Sequence, residues 1–130
     1  MYTRISAGDL AGFGALMADG FVEHEAQPGM PPTKEGVLEL FRMLRIAFPD
    51  MLMEPQDVLA DGDKGIARVR VTGTHRGDFF GIPATGKPVD MQVIDIMRFD
   101  AAGLTCEHWG VTDMLTLMQQ IGVVPTELPA

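Results

Sequence analysis

The stretch Gly73–Asp113 reads GTHRGDFFGIPATGKPVDMQVIDIMRFDAAGLTCEHWGVTD, and its pattern decides the fold class. From Val89 to Phe99 apolar residues occupy both faces of a predicted strand, with Val93, Asp95 and Met97 on one face and Ile94 and Ile96 on the other. A turn at Asp100–Gly103 leads into a second predicted strand, Leu104–Val111, in which His108 shares a face with Cys106 and Gly110. Strands joined by so short a turn pair antiparallel, which makes Asp95 and His108 neighbours across the sheet. A carboxylate among apolar residues is costly to bury unless it is paired, protonated or used. That cost marks Asp95 and His108 as the first candidates for chemistry.

Upstream of this stretch the period is also two. Lys64–His75 sets Ala67, Val69, Val71 and Gly73 against Ile66, Arg68, Arg70 and Thr72, the mark of a half-buried strand. Met51–Leu59 reads as its hairpin partner through the turn Ala60–Asp63, where Gly62 accepts a positive φ. Arg76–Lys87, with glycines and a proline around Phe79 and Phe80, reads as a loop. Towards the start, Thr33 caps a helix whose stripe is Val37, Phe41, Leu44 and Phe48, and Pro49 stops it. Asp9–Ala18 reads as a short helix capped by Asp9, followed by an extended piece, Phe21–Glu25, that delivers His24 to the loop QPGMPPT. At the other end Thr112 or Asp113 caps a helix carrying Met114, Leu117, Met118 and Ile121, closed by Gly122. Helices first, then an antiparallel meander, then one closing helix: the class is α+β.

Composition narrows the function. A chain of 130 residues with 46% hydrophobic content has the size and interior of one domain. The net charge of -8, without a basic patch, excludes a nucleic-acid groove. The single cysteine, Cys106, cannot form an internal disulfide, and no apolar run is long enough to span a bilayer. Neither a secretory signal nor a membrane partner is expected, so the default location is cytoplasmic. Ten methionines suit an adaptable, pocket-lining interior or plain core filling.

Among titratable residues, His108 and Asp95 are the expected catalytic pair, because imidazole titrates near neutrality and a nearby carboxylate can orient it or share its proton. His75, next to the Phe79–Phe80 loop, either binds a polar ligand group at a pocket mouth or ties down that loop. His24 leans towards the surface. Asp113 is most simply a helix cap, with a catalytic carboxylate as the lesser reading. The three histidines lack the spacing of a zinc site, GDFFGIPATGK does not open a helix as a phosphate loop must, and no GxSxG elbow is present.

The motifs FPD (48–50), GD (62–63), GTHRGDFFGIPATGK, IDIMRF (94–99), EHWGVTD and QQIG (119–122) occur in an order that resembles the SnoaL-like polyketide cyclases and the related ester cyclases. The resemblance runs from Ser6 to Pro125. It implies the fold of nuclear transport factor two and ketosteroid isomerase: a curved antiparallel sheet wrapped around helices, enclosing a cone-shaped apolar pocket. It also implies a homodimer or higher homo-oligomer. Cyclases of this family close a ring by intramolecular aldol condensation, with an acid/base Asp two residues after the histidine that aligns with His108. In this chain that position is Gly110; Asp95 takes the place of a second pocket histidine, and Val93 that of a nearby Gln. The first helix is shortened, with only its tail left before the SAGD segment.

The combined expectation is a cofactor-independent acid/base enzyme for a small apolar carbonyl compound of polyketide type. Asp95 and His108 would carry the chemistry, and His24, His75, Phe79, Val93, Met97 and Asp113 would bind the ligand. Two alternatives use the same scaffold. One is a hydrolase or isomerase of the epoxide-hydrolase kind, and the other a non-catalytic ligand-binding or oligomerisation module.

Overall fold

The computed structural model describes residues 1–127. In chain order its elements are α1 (Tyr2–Ser6), α2 (Leu10–Gly14), β1 (Met17–Glu23), α3 (Lys34–Ala47), β2 (Leu52–Asp61), β3 (Lys64–Thr74), β4 (Pro88–Phe99), β5 (Thr105–Thr112) and α4 (Met114–Gln120). Three of the helix starts are fixed by side-chain caps. Asp9 accepts from the Gly12 N–H, Thr33 from Gly36 and Asp113 from Thr116, each satisfying a donor that the first turn leaves free.

The start of the chain departs from the expected single helix over Asp9–Ala18. Helix α2 ends at Gly14, and a separate helix, α1, precedes it. Gly8, at φ +74°, turns the chain between them, a conformation in which a side chain would be strained. Strand β1 then begins at Met17, inside the stretch expected to be helical. Its buried face, Met17 and Phe21, also fits a helical stripe, because the two periods coincide over so few residues.

The five strands form one sheet in the order β1-β5-β4-β3-β2. Strands β2 to β5 are the expected antiparallel meander. Strand β1, however, lies parallel to β5, so the curved sheet is mixed and not wholly antiparallel. The whole meander separates β1 from β5, and no hairpin turn dictates their relative direction. Register shifts between Met17 and Val22, Pro55 and Asp57, and Arg98 and Phe99 add local bends to the sheet.

The inner face carries the buried residues Ala67, Val69 and Val71 of β3 and Val93 and Met97 of β4. Helix α3 covers it with Val37 and Ala47, and α4 brings Leu117, with Ile121 just beyond its end. Helix α1 is pinned to this assembly through Ser6, whose hydroxyl accepts from the Met53 N–H at 2.9 Å. The Arg45 guanidinium of α3 reaches the Ser6 carbonyl at 2.9 Å and the Met51 carbonyl at 3.2 Å. The elements do not close solidly. A cavity of about 500 Å³ remains, lined from α1, α3 and the inner face of the sheet.

Candidate active site

The sheet register sets the geometry of the site. Asp95 on β4 lies opposite Gly110 on β5, and Met97 lies opposite His108. His108 is therefore the diagonal neighbour of Asp95, within reach of a long side chain. Its Nε2 is 2.7 Å from Asp95 Oδ1. On the other side of the ring, Nδ1 is 2.7 Å from both carboxylate oxygens of Glu23, which β1 places directly beside His108 through its parallel register. The second oxygen of Asp95 accepts from the Tyr2 hydroxyl at 2.6 Å. Four side chains from four elements thus form one hydrogen-bonded row, Tyr2–Asp95–His108–Glu23, and all four line the cavity.

Gly110 makes the row possible. A Cβ built there would lie 2.8 Å from His108 Cε1 and 3.0 Å from both His108 Nε2 and Asp95 Oδ1. Any side chain at this position would press on the Asp95–His108 bond.

Burial and charge act against each other on His108. Burial alone would pull the imidazole pKa down, but the hydrogen bonds and negative charges of Asp95 and Glu23 outweigh it and raise the value to about 9. The Tyr2 hydroxyl is pushed well above its ordinary range, first by burial and then by the neighbouring Asp95 charge. It remains a neutral donor at any ordinary pH. The row therefore offers an imidazole that holds its proton more tightly than usual, a carboxyl group with lone pairs to spare, and a neutral hydroxyl, all beside a mainly apolar hollow. That set can accept a proton from carbon and return one to oxygen.

The other expected ligand-binding residues divide. Phe79, Val93 and Met97 line the cavity. His24, His75 and Asp113 are not among its lining residues; they take the surface, loop-anchoring and helix-capping places that the sequence also offered. The strand alternation that turns Glu23 inward turns His24 out, where its Nε2 lies 2.7 Å from Glu107 and its ring stacks on Trp109 at 4.6 Å. His75 is fully buried and packs against Phe48 and Phe79, with its Nδ1 at 2.9 Å from the Thr85 hydroxyl. Its backbone bonds to Lys87 and Gly86, so it ties down the glycine-rich loop. Asp113 caps α4, bonding both the N–H and the hydroxyl of Thr116.

Tyr2 and Glu23 are members of this row that sequence reasoning misses. Glu23 carries a signal: it lies two residues after the buried Phe21 and so shares its inward face once β1 is recognised as a strand. Tyr2 carries none that the sequence pattern alone could reveal, because its partner is 93 residues away. Among the described residues no three His, Cys, Asp or Glu side chains converge as ligands for a metal ion. Glu23 and Asp95 grip opposite edges of one ring and do not aim at a common point.

Comparisons with known proteins agree with this architecture. The family of SnoaL-like polyketide cyclases matches residues 1–121. IdmH from Streptomyces antibioticus, provisionally assigned as a polyketide cyclase, is 33% identical with a TM-score of 0.81, covering 94% of this chain and 93% of its own. TsrD from Streptomyces laurentii is 26% identical with a TM-score of 0.85, covering 95% and 90%. AclR from Streptomyces galilaeus, provisionally assigned as a hydroxylase, is 27% identical with a TM-score of 0.85, covering 98% and 79%. No curated protein matches the chain. With the family matched over nearly its whole length and the same fold in these relatives, the chain belongs to the SnoaL-like polyketide cyclases.

Proposed function

We propose that this protein is a cofactor-independent acid/base enzyme that acts on a small, largely apolar carbonyl compound of polyketide type, closing a ring by an intramolecular aldol step or a related proton transfer. The observation that carries this reading is the contact of His108 with Asp95 at 2.7 Å on the wall of a mainly apolar cavity of about 500 Å³. A hollow of that size suits a small organic ligand, with few polar groups to fix its orientation. Carbon between two carbonyls is already acidic, so holding it beside one base and near a second carbonyl of the same molecule supplies most of what ring closure needs. The family membership and the assignment of IdmH as a polyketide cyclase point the same way.

The test compares wild type with Asp95→Asn and His108→Ala on a panel of apolar 1,3-dicarbonyl and polyketide-like compounds. The expected outcome is a loss of turnover by roughly 10²–10⁴-fold with ligand affinity largely kept. A wild-type protein that binds such compounds and converts none of them would instead mark a binding module.

A further inference from the structure

The acid/base reading leaves open which group takes the proton, and Glu23 answers it. A neutral imidazole has one N–H and one bare nitrogen, whereas its protonated form donates from both. Both ring nitrogens of His108 face carboxylate oxygens at 2.7 Å. A neutral ring would turn a lone pair towards one of those carboxylates, while a protonated ring bonds both. Glu23 sits only one-tenth exposed, its two oxygens equidistant from Nδ1. The titratable groups facing the ring are Glu23 from β1 and Asp95 from β4, with Tyr2 of α1 reaching it through Asp95.

Resting on the acid/base reading above, we propose that Glu23 is a positioning residue that holds His108 as a doubly protonated cation, which leaves Asp95 as the group that takes the substrate's proton. Asp95 uses one lone pair of each oxygen on His108 and Tyr2 and keeps others for this purpose. In the step, the substrate C–H bond breaks, its proton passes to an Asp95 oxygen, and the electron pair enters the adjoining carbonyl as an enolate. The enolate carbon then bonds to the second carbonyl carbon of the same molecule. The alkoxide so formed takes the proton back from Asp95, and no outside reactant is consumed. The His108 cation beside this site offsets the negative charge as it moves from carboxylate to substrate.

The experiment is an NMR titration of His108 in ring-labelled protein, run on wild type, Glu23→Gln and Glu23→Asp, alongside pH profiles of kcat/KM. In wild type both ring nitrogens should stay protonated through pH 8. In Glu23→Gln the midpoint should fall by roughly 1–3 pH units, the range for losing one adjacent opposite charge. The alkaline limb of kcat/KM should move with it while ligand affinity changes by about twofold or less. Glu23→Asp should bring the midpoint part of the way back. A wild-type ring that carries a single N–H at pH 7, or a titration that Glu23→Gln leaves unmoved, overturns the proposal. The titration needs no substrate. It therefore decides the role of Glu23 even where absent turnover sinks the cyclase reading, and the wild-type and Glu23→Asp data decide it should Glu23→Gln fail to fold.

Discussion

Asp95 lies directly across the sheet from Gly110, and the missing side chain at 110 lets its carboxylate reach the His108 ring at 2.7 Å. The carboxyl group proposed for acid/base work therefore stands on the strand facing the position where the resemblance to ring-closing cyclases expects it. Gly110→Ala should separate Asp95 from His108 and reduce turnover by roughly 10²-fold, the lower end of what one acid/base group contributes. The added methyl group should destabilise the fold by about 1–3 kcal/mol. Kinetics together with a denaturant titration checks both numbers, and an alanine variant of full activity would show that the contact is dispensable.

Tyr2 should matter to stability as well as to activity. Tyr2→Phe keeps the ring and removes the donor from an Asp95 that is only 7% exposed. Leaving that carboxylate oxygen without its partner should cost about 1–3 kcal/mol in urea unfolding. Arg45→Ala should weaken the same contact at a distance, because the guanidinium holds the Ser6 carbonyl at the end of α1. Unfolding curves for both variants, with kcat measured beside them, make the comparison.

Stability should also depend on pH through His108. Its pKa is about 9 in the folded protein against 6.5 for the free side chain, so the folded state binds this proton more tightly. The resulting stabilisation is fully present below pH 6.5 and is lost as pH rises through about 9. A tenfold difference in proton affinity is worth about 1.4 kcal/mol, so the effect amounts to a few kcal/mol at most. The stability difference between wild type and His108→Gln should therefore shrink steadily across that window. A difference that stays constant from pH 6 to 10 would place the ring's proton outside the folding equilibrium.

The hollow itself can be filled. Val93 lines the cavity two residues before Asp95 on the same face. Val93→Phe should occupy ligand space and weaken binding of an apolar probe by about tenfold or more, without loss of the folded state, since the new ring enters empty volume. Calorimetric binding and a melting curve test the two halves separately.

Much of this site is legible in the chain. The turn at Asp100–Gly103 and the alternation on either side fix β4 against β5, and with them the meeting of Asp95 and His108. Local pattern carries that contact because 13 residues and one hairpin separate the pair. The other half of the row depends on long-range docking. Glu23 reaches His108 through a parallel pairing that no turn announces, and Tyr2 through a helix pinned by Ser6 and Arg45. His24 lies on the surface, as its sequence setting suggests, while the preceding Glu23 turns inward, because adjacent residues of an extended chain point to opposite sides.

The central claim is that Asp95 removes a proton from carbon inside an apolar hollow, and hydrogen–deuterium exchange measures that step without requiring the true substrate. A 1,3-dicarbonyl probe substituted between its carbonyls to slow background exchange is incubated in D₂O with wild type or Asp95→Asn, and loss of its C–H signal is followed by NMR. The account predicts that wild type accelerates exchange and that Asp95→Asn, still binding the probe, brings the rate to background. Equal acceleration by both proteins would contradict it.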